Sequence, residues 1–263
     1  MNTAHVTFTV FTKPWRMPLP RLGAFIKTLG FDGVELPVRP GYQVTPERVT
    51  TGLQEAVHIL ADCGLALASI SGPTDETTIA ACGELGIPVL RVCLDIPAQV
   101  PYLEHEARLQ REFDALVPLL QRYGVTLGIQ NHYGRFVANA MGIRHLIEKY
   151  DPRHIGAVLD FAHCALNGEI PELALDIVWS HLRMVNFKNA YWQRTNGPEA
   201  QAAAYKVYWT SGRQGLASWA RVAQELKQRG YSGPICLTAE YSDEAAVDRL
   251  ISEDITYARS LFE

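Results

Sequence analysis

Five short apolar runs in this sequence end on residues able to do chemistry. FDGVEL ends at Glu35, and IGAVLD ends at Asp160 with His163 three residues on. VTLGIQNH closes with Gln130 and His132, two apart and so on one face of an extended strand. LRMVNFK ends with Asn186 and Lys188, which share a face in the same way, and PICLTAE ends at Glu240. Carboxylates and imidazoles can move protons, and a lysine can meet an oxyanion or a phosphate. An amide can do neither at neutral pH; it only donates and accepts hydrogen bonds. A single polar residue at a strand end is most often a cap or a solvated tip. Five such ends brought to one place are different, because an unpaired buried charge is costly. The set then requires a bound ligand, a metal or mutual pairing.

The elements that would bring them together alternate along the chain. Strand-like runs are HVTFTVF (5–11), FDGVEL, LALASI, PVLRVCL, VTLGIQNH, IGAVLD, LRMVNFK and PICLTAE. Helical patterns separate them: RLGAFIKTLG, then 46–63 with Thr45 as cap and Pro46 in its first turn, 75–86, and 103–123 closed by Gly124. Further helices fall at 139–150 from Asn139, at PELALDIVWSH, at 216–229 and at 243–261. Eight strand-then-helix units imply parallel strands with right-handed crossovers. In 263 residues that predicts an α/β fold, a single-domain (β/α)8 TIM barrel over 1–263, whose C-terminal strand ends point into one mouth. A doubly wound open sheet is the alternative, and no G-x-G-x-x-G follows the first strand to support a nucleotide cofactor. The longest irregular stretch, 189–215, carries Tyr191, Trp192, Tyr205, Tyr208 and Trp209. It is expected to be a loop over the mouth, acting as a lid or dimer contact, or packed on its own barrel.

Bulk properties narrow the function. Hydrophobic residues make up 48% and charged residues 20%, with a net charge of -4, a soluble balance that argues against a nonspecific polyanion binder. Cys63, Cys82, Cys93, Cys164 and Cys236 are dispersed without a C-x-x-C pair, as expected of free thiols in a reducing cytoplasm or of small buried hydrophobes. MNTAHVTFTVFTKPW has no signal-peptide pattern, and no apolar run approaches the ~18–20 residues of a membrane span. A cytoplasmic protein without a membrane partner is the expectation.

The motifs together resemble the sugar phosphate isomerase/epimerase family of xylose isomerase-like barrels, which also contains inosose dehydratases, ketose 3-epimerases and AP endonucleases. LGFDGVEL resembles its strand-two segment, LGIQNH its E-N-H ending, VLDFAH its D-x-x-H, and RMVNFKNA its H-x-K-D. GRQGLASWARVAQELKQRGYSGPICLTAEY resembles the closing G-x-G, helix and strand with its terminal glutamate. The resemblance implies a divalent metal held at Gln130, Asp160, Asn186 and Glu240, where the family pattern is Glu, Asp, His and Glu. Two of the four depart from it, so this set has two anions where the pattern has three. Amide oxygens still suit hard cations, so a weakened Mn2+ or Mg2+ site is expected and zinc is disfavoured. His132 or His163 could substitute as ligands.

Family epimerases use two glutamates on opposite faces of the substrate, and Gln130 replaces one. Glu240 remains a candidate base, His132 a second acid or base, and Lys188 an oxyanion or anion contact. Glu35, His163 and Arg213 are candidate substrate contacts, Arg213 being otherwise a surface charge. The expected function is that of an isomerase or epimerase acting on a sugar, keto-sugar or polyol by proton abstraction next to a carbonyl. The alternatives are a dehydratase or lyase of a keto-sugar or inosose, and a non-catalytic carbohydrate-binding barrel that has lost its metal. An AP endonuclease would need a histidine-rich multi-zinc cluster and a basic face, so no nucleic acid partner is expected. Barrels of this type often pair, which makes a homodimer possible.

Overall fold

The computed structural model describes residues 6–263; His5, at the head of the first strand-like run, lies outside them. Its elements run β1 (Thr7–Phe11), α1 (Leu19–Thr28), β2 (Gly33–Pro37), α2 (Val49–Asp62), β3 (Ala66–Ser71), α3 (Glu76–Glu84), β4 (Val89–Cys93), α4 (Tyr102–Tyr123) and β5 (Thr126–Gln130). They continue α5 (Ala140–Ile147), β6 (Ile155–Asp160), α6 (Phe161–Leu166), α7 (Pro171–Val178), β7 (Leu182–Phe187), β8 (Asn189–Arg194), β9 (Tyr205–Thr210), α8 (Trp219–Gln228), β10 (Pro234–Leu237) and α9 (Val247–Ser260). Eight strands close a barrel in the order β1-β10-β7-β6-β5-β4-β3-β2. All eight pairings are parallel, as the alternation requires.

Local chemistry sets the helix limits. Asn139 caps α5 by accepting from the Gly142 N–H at 2.8 Å, and Asp75 caps α3 by accepting from Thr78 at 2.9 Å. Gly124 ends α4 in the left-handed region at φ 67°, which glycine enters without a Cβ penalty. Strands β5 and β6 are buried at every residue, which explains their nearly unbroken apolar runs. The predicted helices at 46–63 and 243–261 each begin instead with a 3-10 turn, Pro46–Arg48 and Glu244–Ala246. One short helix, α6, is not expected from the sequence. Asp160 starts it by accepting from the N–H groups of Ala162 and His163 at 3.0 and 3.3 Å, so the last residue of β6 is also a cap.

The stretch 189–215 is not a structureless loop. Two segments of it pair as the antiparallel ribbon β8–β9, with Asn189 opposite Thr210 and Arg194 opposite Tyr205. Tyr191 stacks on Tyr208 across the pair, ring centroids 5.2 Å apart, which is the contact that aromatic residues at matched positions make. All five cysteines are free, with Cys82, Cys164 and Cys236 buried. No helix of the described residues is long and apolar enough to cross a membrane.

Asn189 holds the base of the ribbon. Its side-chain N–H2 donates to the Gly212 and Ala217 carbonyls, both at 2.8 Å. Its carbonyl oxygen accepts from the N–H groups of Ala190 and Ala217 at 3.0 and 2.9 Å. The residue is buried, and all four bonds need an amide. Asn189→Asp turns both donors into an anionic oxygen facing two carbonyls. We expect a loss of about 3 kcal/mol in urea unfolding, with the ribbon aromatics losing their ordered near-UV signal.

Candidate active site

Inside the barrel mouth lies a buried polar chain. Arg91, on β4, points inward and grips Glu35 at the end of β2 with two bonds, Nε to Oε1 at 2.7 Å and Nη2 to Oε2 at 2.9 Å. Its third nitrogen donates to the Gln130 carbonyl oxygen. That oxygen also accepts from the Asn186 amide at 3.1 Å, while Gln130 Nε2 donates to Asp160 Oδ2 at 3.3 Å. Glu35, Gln130, Asp160 and Asn186 are all buried. The guanidinium sits over the Phe11 ring, 4.7 Å from its centroid. Phe11 belongs to a small apolar cluster with Val158, Met184 and Cys236, so the chain is braced by hydrocarbon as well as by hydrogen bonds. Asn131 ties β5 to β6, accepting from the Asp160 N–H at 2.7 Å and donating to its carbonyl at 3.1 Å.

Nearer solvent, Glu240 is held between two lysines. Lys188 donates to Oε2 at 2.6 Å and Lys13 to Oε1. Ala239, just before Glu240, has φ 52°, the one non-glycine in the left-handed region among the described residues. That conformation costs about 1 kcal/mol and turns the chain sharply where the carboxylate must meet both ammonium groups. The Lys188 ammonium also lies 3.7 Å from the Trp209 ring centroid, so β9 reaches over the site from the ribbon. These residues line a cleft of about 670 Å3 together with His132, Tyr133, Trp15, Arg16 and Tyr42.

The two histidine rings adjoin at a tilt of 35°, centroids 4.1 Å apart. Tyr133 fixes both. His132 Nδ1 lies 2.8 Å from the Tyr133 carbonyl, which can only accept, so Nδ1 carries the proton and Nε2 is left basic. His163 Nδ1 accepts from the Tyr133 N–H at 3.3 Å, so its proton sits on Nε2, 3.7 Å from Asp160 Oδ2.

Charge states follow. Burial, then Lys188, His132 and Arg91, hold His163 well below the usual histidine range. Burial also lowers His132, with the Tyr133 carbonyl opposing and Lys188 assisting, so both imidazoles are neutral at pH 7. Burial pushes Asp160 up to about 6, against Lys188 and the His163 N–H. Burial would raise Glu240 too, but Lys188 and Lys13 overcome it and hold the carboxyl at about 2.

The residues at the four metal positions do not fit a divalent ion. Both Glu240 oxygens face ammonium groups, and the Gln130 oxygen accepts from Arg91 and Asn186. Asp160 Oδ1 is spent on capping α6. The His163 nitrogen turned toward Asp160 bears a proton and is no ligand. No group of three or more His, Cys, Asp and Glu among the described residues is arranged to hold a metal.

Of the residues singled out in the sequence, Glu35, Gln130, Asp160, His163 and Asn186 come together in the inner chain, and His132, Lys188 and Glu240 in the cleft above it. Arg213 does not join them. It is exposed, with its guanidinium 3.6 Å from the Tyr257 ring centroid of α9, as the surface-charge reading has it. Arg91, Lys13 and Tyr133 were not singled out. Arg91 carried a signal nonetheless: a charged residue in the middle of PVLRVCL must find a partner if that strand is buried.

Residues 24–261 match the family described as xylose isomerase-like TIM barrel. A curated relative, an inosose dehydratase of Bacillus velezensis, is 24% identical over 180 residues, covering 64% of this chain and 59% of that protein. The chain thus spans less than two thirds of that relative's length. D-psicose 3-epimerase from Clostridium cellulolyticum H10 superposes with a TM-score of 0.73 at 12% identity, covering 98% of this chain and 100% of that one. The probable 3-DHS dehydratase AsbF from Bacillus anthracis also gives 0.73, at 16% identity over 97% and 99%. At these identities the two structures share the fold with this chain.

The buried pair supplies a direct test. Arg91→Met leaves Glu35 charged and alone and should cost about 3–5 kcal/mol in urea unfolding. Glu35→Gln added to Arg91→Met should recover most of that loss, because no uncompensated charge remains.

Proposed function

The chain belongs to the xylose isomerase-like TIM barrel family, and within it we propose that it is a dehydratase of a hydroxylated ketone such as a keto-polyol. One observation carries this reading: a neutral imidazole and two ammonium groups, the latter paired on Glu240, face one cleft. A two-base epimerisation needs a carboxylate base on each face of the substrate. Gln130 is an amide, and Glu240, held at about 2 between its lysines, is a poor base. One base and two acids suit the loss of water.

The roles follow from the hydrogen bonds. His132 Nε2, kept basic by the Nδ1 bond to Tyr133, takes the proton from the carbon beside the carbonyl. Lys188 donates to the carbonyl oxygen as it becomes an enolate. The enolate re-forms the carbonyl and expels the β-hydroxyl, which takes a proton from Lys13 and leaves as water. Glu240 touches neither reacting carbon; it positions both ammonium groups. The cleft of about 670 Å3 suits a single sugar-sized ring, and Trp15, Tyr42 and Trp209 are among its lining residues. Trp209 lies on β9, which supports a lid role for the ribbon. The dehydratase name carried by the curated relative supports the same reading.

The test is to incubate the protein with keto-inositols and keto-hexoses in D2O, following enone absorbance and solvent deuterium together. Absorbance growth is expected. Deuterium gain without an enone would favour isomerisation through the same enolate. Tight binding with neither signal would favour a carbohydrate-binding barrel and end the proposal. His132→Gln should lower kcat/KM by about 100- to 10,000-fold.

The pH profile has a defined sign. His132 works as the neutral base, and its pKa lies below the ordinary value of about 6.5. Activity should therefore hold as pH falls through about 6.5 and decline only below it. That acid limb should vanish from the residual activity of His132→Gln.

A further inference from the structure

We infer that Arg91, Lys13 and Lys188 stand in this barrel as resident cations in place of a divalent ion, so that the site is metal-independent. Three carboxylates converge on the mouth, and each is answered from within the chain. Glu35 is gripped by Arg91, Glu240 by Lys13 and Lys188, and Asp160 by two backbone N–H groups and the Gln130 amide. Within these contacts, three cations, Arg91, Lys13 and Lys188, answer Glu35, Glu240 and Asp160. An arriving divalent ion would have to expel an ammonium group to reach Glu240.

The two amides fit this arrangement and not the metal one. Gln130 accepts from Arg91 with its oxygen and donates to Asp160 with its nitrogen, joining the cation on β4 to the anion on β6. A carboxylate at 130 would lack the donor and repel Asp160. Asn186 donates to the same Gln130 oxygen, which a ligating oxygen would have to turn toward the ion. What remains unpartnered is Asn186 Oδ1, with Asp160 Oδ2 already accepting from Gln130, fewer oxygens than Mg2+ or Mn2+ takes from dedicated sites. This inference does not depend on the proposed reaction, since its test needs no substrate.

The test begins with the whole protein purified without chelator. Its Mg, Mn and Zn content is measured, and MnCl2 is then titrated while free Mn2+ is followed by its EPR signal. We expect metal far below one ion per chain, and Mn2+ binding weaker than about 1 mM. One tightly held ion per chain that is lost in Asp160→Asn would overturn the inference. In a second arm, Lys13→Met with Lys188→Met frees both Glu240 oxygens, and Mn2+ affinity should rise about ten-fold or more. If that folded variant binds Mn2+ no better than the parent, the lysines are not what excludes the ion, and the inference fails. Should the variant not fold, the first arm decides alone.

Discussion

The bidentate pair between Arg91 and Glu35 is the constraint on which the mouth of this barrel depends. A guanidinium with almost no solvent contact is tolerable only if its donors are satisfied, and here all three nitrogens are directed to named acceptors. Burial disfavours the charged guanidinium, but Glu35 overcomes it and raises the Arg91 pKa. Once the cation is fixed there, a carbonyl oxygen must face it at 130, and an amide supplies that oxygen while leaving a donor for Asp160. The Asn186 amide then completes the chain. Three alternatives could answer the converging charges at the strand ends: a ligand, a metal or mutual pairing. In the inner layer the chain adopts mutual pairing.

Much of the fold was legible in the sequence, for a simple reason. Each barrel strand is buried on both faces and each helix on one, so the change of period repeats eight times. The strand ends were legible for the same reason, since a polar residue closing an apolar run marks where the strand leaves the core. The failures lie where tertiary partners decide. Arg91 reads as an anomaly inside PVLRVCL until Glu35, 56 residues earlier, is seen opposite. Lys13 sits in a Pro-rich turn, and nothing local ties it to a carboxylate 227 residues away. Arg213 precedes a glycine-containing turn like a substrate contact, but a nearby tyrosine on α9 takes its guanidinium.

The ribbon shows how one residue type can hide a strand pair. NAYWQR and YKVYWT alternate, but the ten polar and small residues between them read as loop. What the sequence withholds is the clamp at the base, because Asn189 bonds to residues 23 and 28 positions on. At the position where the resembling pattern has an aspartate, this chain uses an amide for its donors. Gln130 and Asn189 thus share a logic: each is an amide that donates to one partner and accepts from another, while Asn186 only donates, to Gln130.

The histidines carry the last step of that logic into chemistry. Tyr133 presents its carbonyl to His132 and its N–H to His163, so a single residue sets the two adjoining rings to opposite tautomers. One Nε2 offers a lone pair to the cleft, and the other offers a proton toward Asp160. Neither arrangement needs a metal to hold the ring, since a backbone group does so in each case. In the proposed reaction the base is defined by backbone geometry and the acids by two lysines on one carboxylate, above an interior charge held as a buried ion pair. At the mouth of this barrel, the polar residues that close the strands bind one another.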